Sequence, residues 1–387
     1  MVSNYYILYY TWDEFTFEDC VTSMRALGCK VDVIAGAVKD YHSDELLISK
    51  IKKRCTDAAY DFIFSFNYFP VISQAANDCQ IRYLSWVFDS PHLTLDSVTL
   101  KNNCNAVFLF DYVLYEKYRN KGISTVYYMP LAYDSLRIEH KIQSILPHYD
   151  HEITFLGKLY DDTYNFFDQI NYLPPKLTGY IQAIMDSQQL IYGQDLCDLI
   201  FTQEKCRELA EYVQIDMGEK FTDYRDELFR NIIRKKITSL ERRSILEMLG
   251  QNYSVDLYAP NTPIHLPVNY RGYADYINQM PEIFYTSKVN LNITLRSILS
   301  GIPLRVIDVL GSHGFLLTNY QQELSEYFIN GEDLVWFEDK EDLMDKTNFY
   351  LTHDKERQRI AENGNHKVQQ NFTYTELLPK IFSIAQI

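Results

Sequence analysis

No C-x-x-C pair occurs in this sequence. Its seven cysteines, Cys20, Cys29, Cys55, Cys79, Cys104, Cys197 and Cys206, are odd in number and scattered. That pattern excludes a regular disulfide framework or a cysteine zinc site and fits free thiols in a reducing compartment. The nine histidines form no H-x-x-x-H or H-E-x-x-H spacing, so no metal site is written in the sequence. Positive charge is scarce: 37 Lys and Arg stand against 52 Asp and Glu, a net charge of −15. The balance argues against general nucleic-acid binding, while a few local cations still suffice for a small anionic ligand. No apolar run reaches membrane-spanning length. The N-terminus, M-V-S-N-Y-Y-I-L-Y-Y-T-W-D-E, lacks a basic region and a cleavage site and reads as a first strand, not a signal peptide. The expectation is a soluble, cytoplasmic protein with no nucleic-acid partner.

What is present points to an α/β protein. A chain of 387 residues, 47% of them hydrophobic, suggests two domains, each with its own core. In the first third, apolar runs at 5–10, 31–35, 61–66, 82–88, 106–110 and 126–131 alternate with helical patterns near 15–27, 44–56, 70–79 and 112–121. Such alternation implies a parallel sheet covered on both faces, with ligands beyond the carboxyl ends of the strands. The residues of interest in this half therefore follow strands: Asn67, Tyr68, Asp89, Ser90, Pro91, His92, Asp111 and Ala132. A polar stretch, I-L-P-H-Y-D-H-E at 145–152, reads as a linker. Residues 161–250 are helical in pattern and rich in charge. Their basic run R-N-I-I-R-K-K-I-T-S-L-E-R-R at 230–243 reads as a solvated helix face, with peripheral contact to anionic lipid as the alternative. The βα alternation then resumes with strands at 153–156, 255–258, 289–293, 315–318 and 334–337, and closes on helices near 340–352, 354–370 and 375–386.

The stretch G-I-P-L-R-V-I-D-V-L-G-S-H-G-F-L-L-T-N-Y, residues 301–320, carries the sharpest chemistry. Arg305 and Asp308 lie three residues apart on a helix-like run and so share a face. Gly311 and Gly314 break the run before an apolar strand. A cation beside a carboxylate at such a junction suits a ligand with phosphates and a ribose diol, a nucleotide sugar. The plainer reading is a surface ion pair.

Residues 288–374 resemble the CgeB-like glycosyltransferases, a branch of the group 1 families. The resemblance rests on K-V-N-L-N-I-T, the 301–320 stretch, L-S-E-Y-F-I-N-G-E-D-L-V-W-F and Y-L-T-H-D-K-E-R-Q-R-I-A-E-N-G. The N-terminal half is similar to the domain of unknown function often found ahead of that module, through D-F-I-F-S-F-N-Y-F-P, Y-L-S-W-V-F-D-S-P-H, V-F-L-F-D and Y-Y-M-P-L-A. The resemblance implies the GT-B architecture: two Rossmann-like βα domains facing a cleft, with a helical insertion in the second. It implies an acceptor-side domain over 1–148, a nucleotide-sugar domain over 149–372 with its helical segment at 161–250, and a terminal helix, 373–387, packed back on the first domain. It also implies a carboxylate on the donor ribose, at Asp308, where Glu is common in the family. The family's upstream acid would fall at Ser300 and is absent, and no Gly-rich loop follows the first strand.

The expected reaction is sugar transfer from a nucleotide-sugar donor to a glycan, protein or small molecule, without a metal or other cofactor. A non-catalytic sugar-nucleotide-binding scaffold is the alternative. Without a metal, cations and backbone N–H groups must neutralise the leaving diphosphate. Arg305 is the first candidate, because a guanidinium binds phosphate in a bidentate manner. Gly157 and Lys158 follow the first strand of the second domain. Arg271 and Gly272 follow a strand candidate and are assigned to the base pocket. Asn292 and Thr294 leave a buried strand and suit phosphate or sugar hydroxyls, or a helix cap. The backbone from Ser312 to Gly314 is assigned to the diphosphate or sugar. His313 has no assigned role. For the acceptor proton, Asp89 is the first candidate base, His92 the second and Asp111 the third. An Asp-Ser-Pro turn that only shapes the loop is the alternative for Asp89.

Overall fold

The computed structural model describes residues 4–162, 165–170, 172–213 and 225–385. The described chain divides into two compact units, one built from residues 4–135 and 370–385, the other from 136–213 and 225–369. Residues 386 and 387 of the expected terminal helix lie outside the described residues. All seven cysteines are free thiols.

The first unit holds a six-stranded parallel sheet: β1 (Tyr6–Thr11), β2 (Lys30–Ala35), β3 (Phe62–Phe66), β4 (Arg82–Val87), β5 (Asn105–Leu109) and β6 (Val126–Tyr128), in the order β2-β1-β3-β4-β5-β6. Its central strands are buried along their whole length, so they read as unbroken apolar runs rather than alternating ones. The crossover helices Phe17–Ala26, Glu45–Asp57, Pro70–Asp78 and Tyr112–Asn120 lie within a few residues of the sequence expectation. Asp44 and Asp111 cap two of them, accepting from the N–H of Leu47 and of Leu114. The chain re-enters this unit at its end, where helix Tyr374–Ile384 packs Tyr374 against Trp86 and Phe66, and Phe382 against Tyr5 and Phe62.

The second unit holds another six-stranded parallel sheet: β7 (His151–Leu156), β8 (Val255–Tyr258), β9 (Asn269–Gly272), β10 (Ser287–Asn292), β11 (Leu316–Asn319) and β12 (Val335–Phe337), in the order β12-β11-β10-β7-β8-β9. This is a doubly wound order whose direction reverses between β7 and β10. The neighbouring exits of those two strands form the switch point, where open α/β sheets place their ligands.

The helical segment interrupts the first crossover. Helices Pro175–Gln188, Leu196–Ile200 and Gln203–Ala210 pack around the front half of the long helix Arg225–Gly250, through Leu177, Ile181, Ile184, Phe229, Ile233 and Ile237. The rear half of the same helix puts Ile245, Leu246 and Leu249 on the sheet. One helix therefore serves two cores. This corrects the reading of 230–243 as a solvated face: Arg234, Glu241 and Arg242 are buried. Arg234 is held by Asp195, Asp198 and Glu227, so its charge is matched inside the helical core. No helix among the described residues is long and apolar enough to cross a membrane.

Candidate functional site

The switch point of the second sheet is built around Arg242. Its guanidinium donates through Nε and Nη2 to the carbonyl of Ile293, at 3.1 and 2.5 Å, and through Nη1 to the carbonyl of Lys158, at 2.6 Å. These carbonyls lie just beyond β10 and β7, so one side chain ties the two diverging exits together. The rings of Phe155 and Tyr160 flank it, each 5.3 Å away. No carboxylate pairs with Arg242 among the described residues. Burial lowers its pKa below the ordinary arginine value, and the charge of Arg305 adds to that effect.

Arg305 sits in the first turn of helix Leu304–Gly311, which starts beyond the exit of β10. It donates to Met280 Sδ at 3.1 Å and lies 5.3 Å from the centroid of the Phe284 ring. Burial lowers its pKa too, and the nearby Asp308 opposes the effect. Asp308, one turn on, is buried and accepts from the Tyr276 hydroxyl at 2.9 Å. Arg305 and Asp308 form no ion pair within 4.0 Å, so the surface-pair reading of this motif does not hold. Two desolvated guanidinium groups near one another, neither neutralised by a carboxylate, make a local positive field in a protein of net charge −15.

The loop after β10 is held in place by the long helix. Arg296 makes a bidentate pair with Glu241, at 2.8 and 2.9 Å, and its backbone N–H donates to Thr238 Oγ1 at 3.0 Å. Burial works against the Arg296 charge, but Glu241 outweighs it and raises the pKa above the ordinary value. Within the strand exits, Asn292 Nδ2 donates to Thr294 Oγ1 and Thr318 Oγ1, at 3.1 and 2.9 Å. The Thr294 N–H donates to Asn319 Oδ1 at 2.7 Å. Asn292 and Thr294 thus join neighbouring strand ends, and Thr294 caps no helix, since Pro303 precedes the next one. Lys158 is exposed beside Gly157, where an added Cβ would meet the Phe155 ring at an ordinary 3.4 Å.

Other expected donor residues lie elsewhere. Arg271 and Gly272 are part of the edge strand β9 rather than beyond a strand. Arg271 donates to Asp256 at 2.7 Å, and the other Asp256 oxygen lies 2.7 Å from His151 Nδ1. Burial raises the Asp256 pKa, but these two partners outweigh it and hold the carboxyl below its usual range. Ser312 and Gly314 stand past the far end of helix Leu304–Gly311, beside the amino end of β11, and are not brought together with Arg305. Gly314 is packed so closely that a Cβ there would lie 2.8 Å from Asn290 Nδ2 and 2.9 Å from the Phe284 carbonyl. Its glycine is explained by packing.

Sequence reasoning missed Arg242, hidden in a charge run, and Glu323. Glu323 is 1% exposed, and its Oε1 accepts from Ser300 Oγ at 2.7 Å. A buried carboxylate from 23 residues on therefore stands beside Ser300. An H/P pattern could not have found either residue.

In the first unit, Asp89 is exposed just beyond β4. Asn67, just beyond β3 with φ of 59°, donates through Nδ2 to Asp89 Oδ2 at 2.7 Å and accepts at Oδ1 from the N–H groups of Phe88 and Asp89. The His92 ring nitrogen Nε2 lies 3.0 Å from both backbone N and O of Tyr68 and 2.7 Å from Thr94 Oγ1. Burial lowers its pKa, with the Tyr68 backbone and Asp89 opposing. At the exit of β1, where no Gly-rich loop exists, the buried Glu14 accepts from Tyr9 OH, Thr11 Oγ1 and the Trp12 N–H. Among the described residues no group of three or more His, Cys, Asp or Glu side chains is arranged to hold a metal ion.

Residues 233–383 match the glycosyl transferase-like family. The chain is a glycosyltransferase. No curated protein matches it, but solved structures share its fold along nearly the whole length. A glycosyltransferase from Rickettsia africae aligns at a TM-score of 0.53 and 11% identity, covering 99% of this chain and 98% of that one. Sucrose-phosphate synthase from Thermosynechococcus elongatus aligns at 0.52 and 11%, covering 99% and 98%. HepE from Anabaena, solved in complex with UDP and glucose, aligns at 0.51 and 11%, covering 98% and 99%. With the two parallel sheets, these likenesses give the glycosyltransferase the GT-B type of α/β fold.

Proposed function

We propose that this glycosyltransferase takes a nucleoside-diphosphate sugar as donor, bound at the switch point of the second sheet, and works without a metal. The observation that carries the reading is the pair of neighbouring guanidinium groups, the buried Arg242 and the half-buried Arg305, neither in an ion pair with a carboxylate. As the bond from the anomeric carbon to the diphosphate oxygen breaks, its electron pair goes to the phosphate, and these two cations balance the charge. Asp308 accepts from the ribose hydroxyls, and Glu323 with Ser300 borders the sugar. That HepE was solved with UDP makes uridine diphosphate the first base to try.

We further propose that the chain belongs to the CgeB-like branch and that its N-terminal unit receives a glycan or protein acceptor. The acceptor hydroxyl attacks the anomeric carbon and gives up its proton to Asp89. Asn67 holds that carboxylate in place, which supports the assignment. A panel of UDP-, GDP-, dTDP- and ADP-sugars, read by release of nucleoside diphosphate in the presence of EDTA, tests the proposal. One donor should turn over with the metal removed. Arg305→Ala and Asp308→Ala should each weaken that donor by about 1.5–3 kcal/mol, the worth of a charge-assisted hydrogen bond. Normal donor affinity in both variants would end this reading.

A further inference from the structure

The second unit contains a cavity of about 370 Å³ that the donor site does not use. It opens at the amino ends of β10 and β11, where Ser287, Lys288 and Phe315 line it. The proposed donor residues gather at the opposite, carboxyl ends of the same strands. The volume falls in the range of small-ligand pockets, roughly 300–1,000 Å³.

Three features give the lining a chemical bias. Lys288 is partly exposed on the wall and makes no hydrogen bond or ion pair among the described residues. Arg357, in the first turn of helix Asp354–Asn371, lies at the positive end of that helix dipole. It is 1% exposed, donates to the Tyr350 carbonyl and to Asp354, and sits 5.0 Å from the Tyr149 ring centroid. His313 contributes a third basic group from a backbone of φ 57°, a left-handed position that a β-carbon disfavours. Glycine would suit that position better, so the imidazole stands there at a local cost. Its Nε2 is fixed 2.8 Å from Glu139 Oε1, which Gln369 also contacts at 2.7 Å. Tyr149 adds an aromatic face, while Gln358 and Glu362 add planar groups suited to hydroxyls.

We infer that this cavity is a second ligand site and that it takes a phosphorylated monosaccharide. The phosphate, with its charge near −2, meets Lys288 and His313 beside Arg357. The sugar ring lies against the aromatic wall, with its hydroxyls on Gln358 and Glu362. Because the site is at the other end of the sheet, its ligand does not compete with the donor, and the inference stands apart from the donor assignment.

Isothermal titration with glucose 6-phosphate tests it, with inorganic phosphate and glucose as separate arms. Glucose 6-phosphate should bind more tightly than either fragment. Lys288→Ala should weaken it at least about tenfold, a change of about 1.4 kcal/mol. His313→Gly relieves the left-handed backbone, so it should lose ligand affinity with no loss of thermal stability. Asp308→Ala should bind the ligand normally, and saturation with nucleotide sugar should not displace it. Equal binding of inorganic phosphate would overturn the sugar part of the inference. No binding at 10 mM, or binding unchanged in Lys288→Ala and His313→Gly, would overturn the site. Displacement by nucleotide sugar would also overturn it, since the ligand would then occupy the donor site.

Discussion

Removing the Glu241 carboxylate should loosen the proposed donor site without touching a donor. Glu241 is fully buried and holds Arg296 through two hydrogen bonds of 2.8 and 2.9 Å. In Glu241→Leu the guanidinium remains inside the protein without its paired carboxylate, keeping the Ile191 carbonyl and the Tyr192 ring, whose centroid is 4.6 Å away. Breaking a buried pair from one side costs about 3–5 kcal/mol, because the surviving charge stays desolvated. Arg296→Met leaves the Glu241 carboxylate stranded in the same way. Replacing both, as Glu241→Leu with Arg296→Met, removes both charges and should recover most of the loss. The coupling energy in this double-mutant cycle should therefore reach about 3 kcal/mol. Equilibrium urea unfolding, followed by far-UV circular dichroism, measures each corner. The loop from Ile293 to Ser300 is tied to the long helix through this pair and through Thr238, so the double variant should also show a raised donor KM. Single-variant costs below about 1 kcal/mol, or strictly additive costs, would refute the claim that this pair anchors the loop.

Asp89→Asn should leave donor affinity unchanged and cut turnover by about 10²–10⁴-fold, and retained turnover would remove Asp89 as base. His92 is held below the ordinary histidine pKa of 6.5 by burial. The unfolded chain therefore binds a proton near that pH that the folded chain binds only lower. The resulting stability is complete above pH 6.5 and falls as pH drops, by at most about 1.4 kcal/mol per unit. His92→Asn should flatten the wild-type decline between pH 7.5 and about 5, as measured by urea unfolding; matching declines would count against it. Gly314→Ala should lower the melting temperature through a loss of about 1–3 kcal/mol, because its Cβ would press on Asn290, Phe284 and Val309, and an unchanged melting curve would contradict that packing.

Much of the secondary structure was legible because its signals are local. Runs such as F-I-F-S-F and N-A-V-F-L are mostly apolar with no polar alternation, as buried parallel strands require, and they fall on β3 and β5. The spacing of Arg305 and Asp308 placed them on one helix, and that helix spans Leu304–Gly311. β9 was missed because N-Y-R-G is short, polar and half exposed, an edge strand with no apolar pattern to betray it. The helix Arg225–Gly250 misled for a different reason. It meets the helical core with one half and the sheet with the other, so no single apolar stripe runs along it, and its buried arginines resemble surface charge.

From the sequence alone came the α/β class, the two successive sheets, the absence of a disulfide pattern and the placing of Arg305 and Asp308 one turn apart on one helix. These depend on spacing, which a chain carries before it folds. Tertiary structure decided which distant residues share a site. Strand order set β7 beside β10 and so gave Arg242 two carbonyls to bridge, more than 130 positions apart in the chain. It brought Glu323 to Ser300 and set Ser312 and Gly314 at the opposite end of their helix from Arg305. Charge burial follows the same rule. Whether an arginine in a basic run faces water or the exits of two strands depends on what packs over it, and no local pattern records that.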